Sequence, residues 1–228
     1  MASSILTKPI ALNLLLQAKR LLFFEKLSKS DIGRWENESF IFSTTMTYGL
    51  NQSQGGPCGV FAAVQAYIIE TLLFQKLNIL KKETPSSLVN KTIHPLQSIV
   101  ASDEDKNKEL SQRILSIALA KILFQVRRGT TNDKPNSPII VVTLRKNEDG
   151  DFENNLVINT NFNHNENNSN NKSNLDNASG EASVIDKVAA CIFENISSYQ
   201  NKGGILLFLY SVIAPRGVQT IKDDMDDP

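Results

Sequence analysis

The chain has 228 residues, 41% of them apolar, and its 24 basic residues are matched by 24 acidic ones. That length suits one large domain with a core of its own, and a net charge near zero supplies no long-range pull, so neither nucleic acid nor a membrane is an expected partner. Two cysteines, Cys58 and Cys191, are too few for the disulfide framework of a secreted domain.

The N-terminal stretch is apolar but is broken by Asn13, Gln17, Lys19 and Arg20, unlike a signal peptide. The sequence has no uninterrupted apolar run of about 20 residues, the length a membrane span needs. A reducing compartment, cytosol or nucleus, is expected. Residues 10–27 repeat apolar side chains at helical spacing and predict an amphipathic helix. Residues 35–50 are rich in aromatic and β-branched types and suit extended structure or a loop. Gly55-Gly56-Pro57 then punctuates the chain. From Cys58 to about Leu80 the pattern is a long helix, apolar nearly all round and therefore central and buried.

Residues 100–108 read as a solvated loop and 109–128 as a second amphipathic helix. Pro138 to Leu144 reads as a strand. From Asn154 to Asn177, 12 of 24 residues are Asn. Such a tract buries too little surface to offset the entropy of ordering, so a disordered insertion is expected at about 154–180, flanked by a short strand at Leu156–Ile158. Val184 to Tyr199 predicts a helix. The run ILLFLYSVI after Gly203-Gly204 suits a buried strand.

The chemistry gathers between Tyr48 and Ala66. A helix that opens at Cys58 surrounds the sulfur with unpaired N–H groups and the positive end of its dipole. That setting favours the thiolate, which is the nucleophile, and the glycines leave room for a substrate backbone. Gln52 stands six residues before Cys58. In papain-like proteases a Gln just upstream of the cysteine, with the cysteine's own N–H, donates to the oxyanion of the tetrahedral intermediate. Gln54 competes for that role at a less suitable offset. A lone cysteine opening a buried helix is more often inert packing than a nucleophile. The spacing to Gln52 and the Gly-Gly-Pro turn weigh against that reading here.

The stretch GLNQSQGGPCGVFAAVQAYIIETLLF resembles the catalytic-cysteine motif of the MINDY deubiquitinases, in particular the branch holding members three and four. Trp35, Phe40 and Phe42 sit where that branch carries a Trp and an F-x-F pair. GGILLFLYSVIAPRGVQTIKDDMDDP resembles its strand-and-turn segment. The resemblance implies a cysteine-type ubiquitin hydrolase with Cys58 as nucleophile and Gln52 as oxyanion donor. It would act on isopeptide bonds in polyubiquitin, with preference for the linkage that signals proteasomal degradation, and would need no metal or cofactor.

The general base breaks the pattern. His94 precedes a proline and His164 lies within the Asn-rich tract, so both read as exposed and non-catalytic. The family's catalytic histidine lies well downstream of the DMDDP block. Residues 1–228 are therefore expected to be the N-terminal part of a longer catalytic domain or, if whole, to lack a family-type base. Cys191 reads as core packing, and DDMDDP as a solvated turn that does not match a calcium loop. The expected fold is α+β and papain-like in the loose sense, with the Cys58 helix packed on a sheet of the later strands. Two rivals stay open: a ubiquitin-binding protein without activity, and a cysteine protease with another substrate.

Overall fold

A computed structural model describes residues 6–23, 27–46, 48–75, 104–126, 138–146, 152–160, 162 and 174–226. Among them, mixed helix and sheet follow in the order β1 (Leu6–Pro9), α1 (Leu12–Phe23), α2 (Lys29–Asn37), β2 (Ile41–Phe42), β3 (Leu50–Asn51) and α3 (Cys58–Glu70). The last of these runs on into a π-turn at Thr71–Gln75. Then come α4 (Glu104–Val126), β4 (Val141–Lys146), β5 (Phe152–Thr160), α5 (Asn174–Glu194), α6 (Ile196–Gln200), α7 (Gly204–Arg216) and α8 (Val218–Asp226).

The segment expected as a buried strand, 205–213, lies within the central helix, α7. Its apolar residues run all the way round, and on such a run periodicity does not separate a buried strand from a buried helix. Ile205, Leu206, Leu207, Phe208, Tyr210 and Ile213 are all buried. Around them pack α1, α2, α4, α6, α8 and β4. The helix also serves a sheet edge. Ser211 Oγ donates to Leu207 O at 2.8 Å and accepts the Val142 N–H at 2.8 Å, while the Tyr199 hydroxyl donates to Val142 O at 2.7 Å. Both outward backbone groups of Val142 on edge strand β4 are thereby satisfied. Burial raises the Tyr199 phenol pKa, which keeps that donor protonated.

The main sheet is antiparallel, in the order β1-β5-β4. Its central strand contains the short strand expected at 156–158 but runs on to Thr160, and α5 begins at Asn174, so the insertion's boundaries at 154–180 are corrected on both sides. Composition misled here because one Asn is used in the core. Asn159 is buried, donates to Val141 O at 3.2 Å and Thr143 Oγ1 at 3.1 Å, and accepts from Thr7 Oγ1 at 2.7 Å. A buried amide with its hydrogen bonds made costs little. Phe162, just past the strand, is buried as well.

Three further expectations change. The first turn of α4 takes in residues 104–108, since charged residues suit a helix start as well as a loop. Asp223 to Asp226 of the acidic run fall in α8, where an Arg216–Asp224 ion pair ties them to α7. The Cys58 helix packs chiefly on α4 rather than on the sheet. Lys121 of α4 meets Glu70 of α3 at 3.1 Å. The helices expected at 10–27 and 109–128 and the strand expected at 138–144 are present with shifted ends.

Candidate active site

Pro57 and the glycines before it set where α3 begins. The Pro57 carbonyl accepts the N–H groups of Val60 at 3.0 Å and Phe61 at 3.1 Å, closing the first turn. Gly56 has φ +142°, a conformation L side chains rarely adopt, and a Cβ there would stand 2.9 Å from Trp35 Nε1. The Trp35 indole therefore closes over a bare backbone. Trp35 is itself braced edge-on by Phe23, with ring centroids 5.9 Å apart.

Cys58 is exposed at this helix start. The Gln52 side chain comes to it: Nε2 lies 3.5 Å from Sγ and donates to Gln54 O at 2.5 Å. The thiol pKa is lowered, first by the Gln52 amide and then by the Gly56 backbone, with desolvation acting the other way. Cys191 is the contrast. It is buried on α5, and burial pushes its pKa up to about 12. The two cysteines thus occupy opposite settings, one suited to a nucleophile and the other to packing.

The structure brings the Gln52 amide to the Cys58 sulfur, and the Cys58 N–H has a backbone acceptor of its own. The Cys58 N–H donates to Gly56 O at 2.9 Å. Gln54 enters through its backbone, its carbonyl holding the Gln52 amide. His94 and His164 lie outside the described residues, so no imidazole is placed relative to the sulfur.

Two residues with no recognisable sequence signal hold the loop before Cys58. Glu38 is buried, and its carboxylate accepts from the Ser53 N–H at 3.4 Å, the Ser53 hydroxyl at 3.0 Å and the Gln54 N–H at 2.5 Å. Gln65, two turns along α3, accepts the Leu50 N–H at 2.8 Å and donates to Tyr48 O at 3.0 Å. The loop is thereby pinned at both ends, from α2 and from the cysteine's own helix. Below it Phe40 is fully buried, edge-on to Phe61 of α3 at 5.9 Å and to Phe208 of α7 at 5.7 Å.

The family model described as "Deubiquitinating enzyme MINDY-3/4, conserved domain" matches residues 19–228. The chain belongs to the MINDY-3/4 family. Among its relatives, the zebrafish "Ubiquitin carboxyl-terminal hydrolase MINDY-3" is 26% identical over 197 residues, covering 85% of this chain and 40% of that protein. The mouse "Probable ubiquitin carboxyl-terminal hydrolase MINDY-4" is 41% identical over 120 residues, 52% of this chain and 14% of that one. The human protein of the same name is 42% identical over 71 residues, 30% of this chain and 9% of its own. The chain thus spans about two-fifths of the length of the MINDY-3 relatives it matches. No solved structure matches it.

Among the described residues no group of His, Cys, Asp and Glu is arranged to hold a metal ion, and no single helix is long and apolar enough to cross a membrane. The chemistry this arrangement offers is that of an exposed, acidified thiol with an amide donor beside it.

Proposed function

We propose that this chain carries the nucleophile and oxyanion donor of a cysteine-type ubiquitin hydrolase that cleaves isopeptide bonds in polyubiquitin. The observation that carries the reading is the Gln52 amide at 3.5 Å from an exposed Cys58 sulfur at a helix start. Membership of the MINDY-3/4 family supports it, as do relatives named ubiquitin carboxyl-terminal hydrolases.

In this mechanism the Cys58 thiolate attacks the carbonyl carbon of a ubiquitin C-terminal glycine. Negative charge moves onto the carbonyl oxygen, and the Gln52 amide exchanges its bond to Gln54 O for one to that oxyanion. Collapse of the intermediate expels the lysine amine, which takes up a proton from water, and leaves a thioester on Cys58. Water hydrolyses the thioester and returns the free thiol. The open backbone at Gly55 and Gly59 gives the flat C-terminus of the substrate a path to the sulfur. The papain-like comparison rests on this pairing of a helix-start cysteine with an upstream Gln. The preference for the proteasome-signalling linkage rests on the sequence resemblance.

The test is cleavage of lysine-linked polyubiquitin of defined linkages by the full-length protein. Wild type is expected to cleave and Cys58→Ala to be inert. Equal cleavage by both would overturn the assignment. Binding of the chains without cleavage by wild type would favour a non-catalytic ubiquitin-binding role.

A further inference from the structure

We propose that Glu38 is a positioning residue for this site, its buried carboxylate fixing the Ser53–Gln54 backbone and, through Gln54 O, the Gln52 amide beside Cys58. The inference rests on the reading of Cys58 as nucleophile and Gln52 as its oxyanion donor.

A carboxylate is costly to bury unless its oxygens are satisfied. Glu38 is 2% exposed, and its carboxylate's partners among the described residues are all on one loop, at Ser53 and Gln54. Those partners need no such acceptor for their own sake. Ser53 and Gln54 are exposed, so water would serve their N–H groups at little cost. What a buried anion adds is a strong, directional, charge-assisted bond that sets where the loop lies.

The anchor is itself held. Glu38 closes α2 with its N–H on Trp35 O at 3.3 Å. Two residues on, the Phe40 N–H is bound by Tyr199 O at 3.0 Å, and the ring is clamped between Phe61 and Phe208. From this rigid base the bonds run through the Gln54 N–H, across its Cα to the carbonyl, to Gln52 Nε2 and to Cys58 Sγ. Each link is a hydrogen bond at a stated atom or one covalent residue. Moving Glu38 moves the donor at the sulfur, although Glu38 touches neither sulfur nor substrate.

The experiment uses the full-length protein carrying Glu38→Gln, Gln52→Ala and both together. Alkylation of Cys58 by iodoacetamide is followed against pH by mass spectrometry. Cys191, buried and with its pKa at about 12, reports unfolding if it becomes modified. Gln52→Ala is expected to move the Cys58 profile to higher pH, because the Gln52 bond is the first cause that lowers it. Glu38→Gln is expected to move it the same way, and to slow alkylation at neutral pH by on the order of threefold to tenfold. Adding Glu38→Gln to Gln52→Ala should give no further shift, since the two lie on one chain of bonds.

An unchanged profile with Cys191 protected would overturn the proposal. So would a Glu38→Gln shift that persists in full in the Gln52→Ala background, which would show a general structural role. If Glu38→Gln exposes Cys191, Ser53→Ala is measured instead, since it removes only the hydroxyl donor. A smaller shift in the same direction supports the proposal, and no shift overturns it. No ubiquitin enters the assay. A wild-type protein with a low Cys58 profile that leaves polyubiquitin intact would therefore sink the hydrolase reading and not this one.

Discussion

Among the described residues two helices open on a pair of glycines, and one of the two openings has the makings of a reactive site. At α7, Gly203 takes φ +81° and a Cβ on Gly204 would meet Tyr199 O at 2.0 Å. The glycines there exist so that two backbones fit together, and the helix they start is the buried centre of the fold. At α3, Gly55 is exposed, with its nearest neighbour, Arg34 Nη1, at an ordinary 3.6 Å, and a Cβ on Gly59 would meet nothing within 4 Å. Trp35 closes over Gly56, but space is left open on either side of it, beside an exposed thiol. A Gly-Gly signal before an apolar run thus marks a tight helix entry in both places. Its meaning comes from what the helix end faces.

The comparison is broken most forcefully at Gly204. Gly204→Ala should cost about 3 kcal/mol or more, because the methyl is driven into fixed backbone rather than into a mobile side chain. Gly55→Ala should stay within about 0.5 kcal/mol. Chemical denaturation of both variants checks this, and equal losses would erase the distinction between the two openings.

A second measurement tests the chemistry at the open end. Gln52→Ala should lower turnover on polyubiquitin by about a hundredfold with KM little changed, as expected for a donor used mainly in the transition state. An effect of that size appearing only in Gln54→Ala would transfer the role to Gln54.

The smallest effect is expected at Gly59. An alanine in this helical position should raise stability by about 0.5–1 kcal/mol, through helix propensity and a less flexible unfolded chain. It should nevertheless slow polyubiquitin cleavage, because it adds a methyl at the open, exposed position that follows Cys58. A stabilised variant with unimpaired turnover would show that the open space serves no substrate.

The sequence was legible where local chemistry decides structure. A turn of Gly-Gly-Pro fixes a helix start within a residue, and Gln52 reaches Cys58 because five residues of loop separate them. It was misleading where tertiary context decides. Nothing in ILLFLYSVI distinguishes strand from helix, since a run buried on all sides has no polar face to count. Asn159 looked like part of a low-complexity tract and is a satisfied core amide, because its partners come from β1 and β4. The short strand at Leu6–Pro9 pairs with a segment some 150 residues away, which no local pattern announces. Glu38 was invisible for the same reason. In WENES it is one of two acidic residues, and its role lies in groups at Ser53 and Gln54.

The most direct test of the central claim is the reaction of the full-length protein with ubiquitin bearing an electrophile at its C-terminus. The adduct is digested and the modified residue located by mass spectrometry. The account predicts a single covalent adduct on Cys58, lost in Cys58→Ala and retained in Cys191→Ala, because the one thiol is exposed with its pKa lowered and the other is buried with its pKa at about 12. An adduct on Cys191, or one that survives Cys58→Ala undiminished, would contradict it.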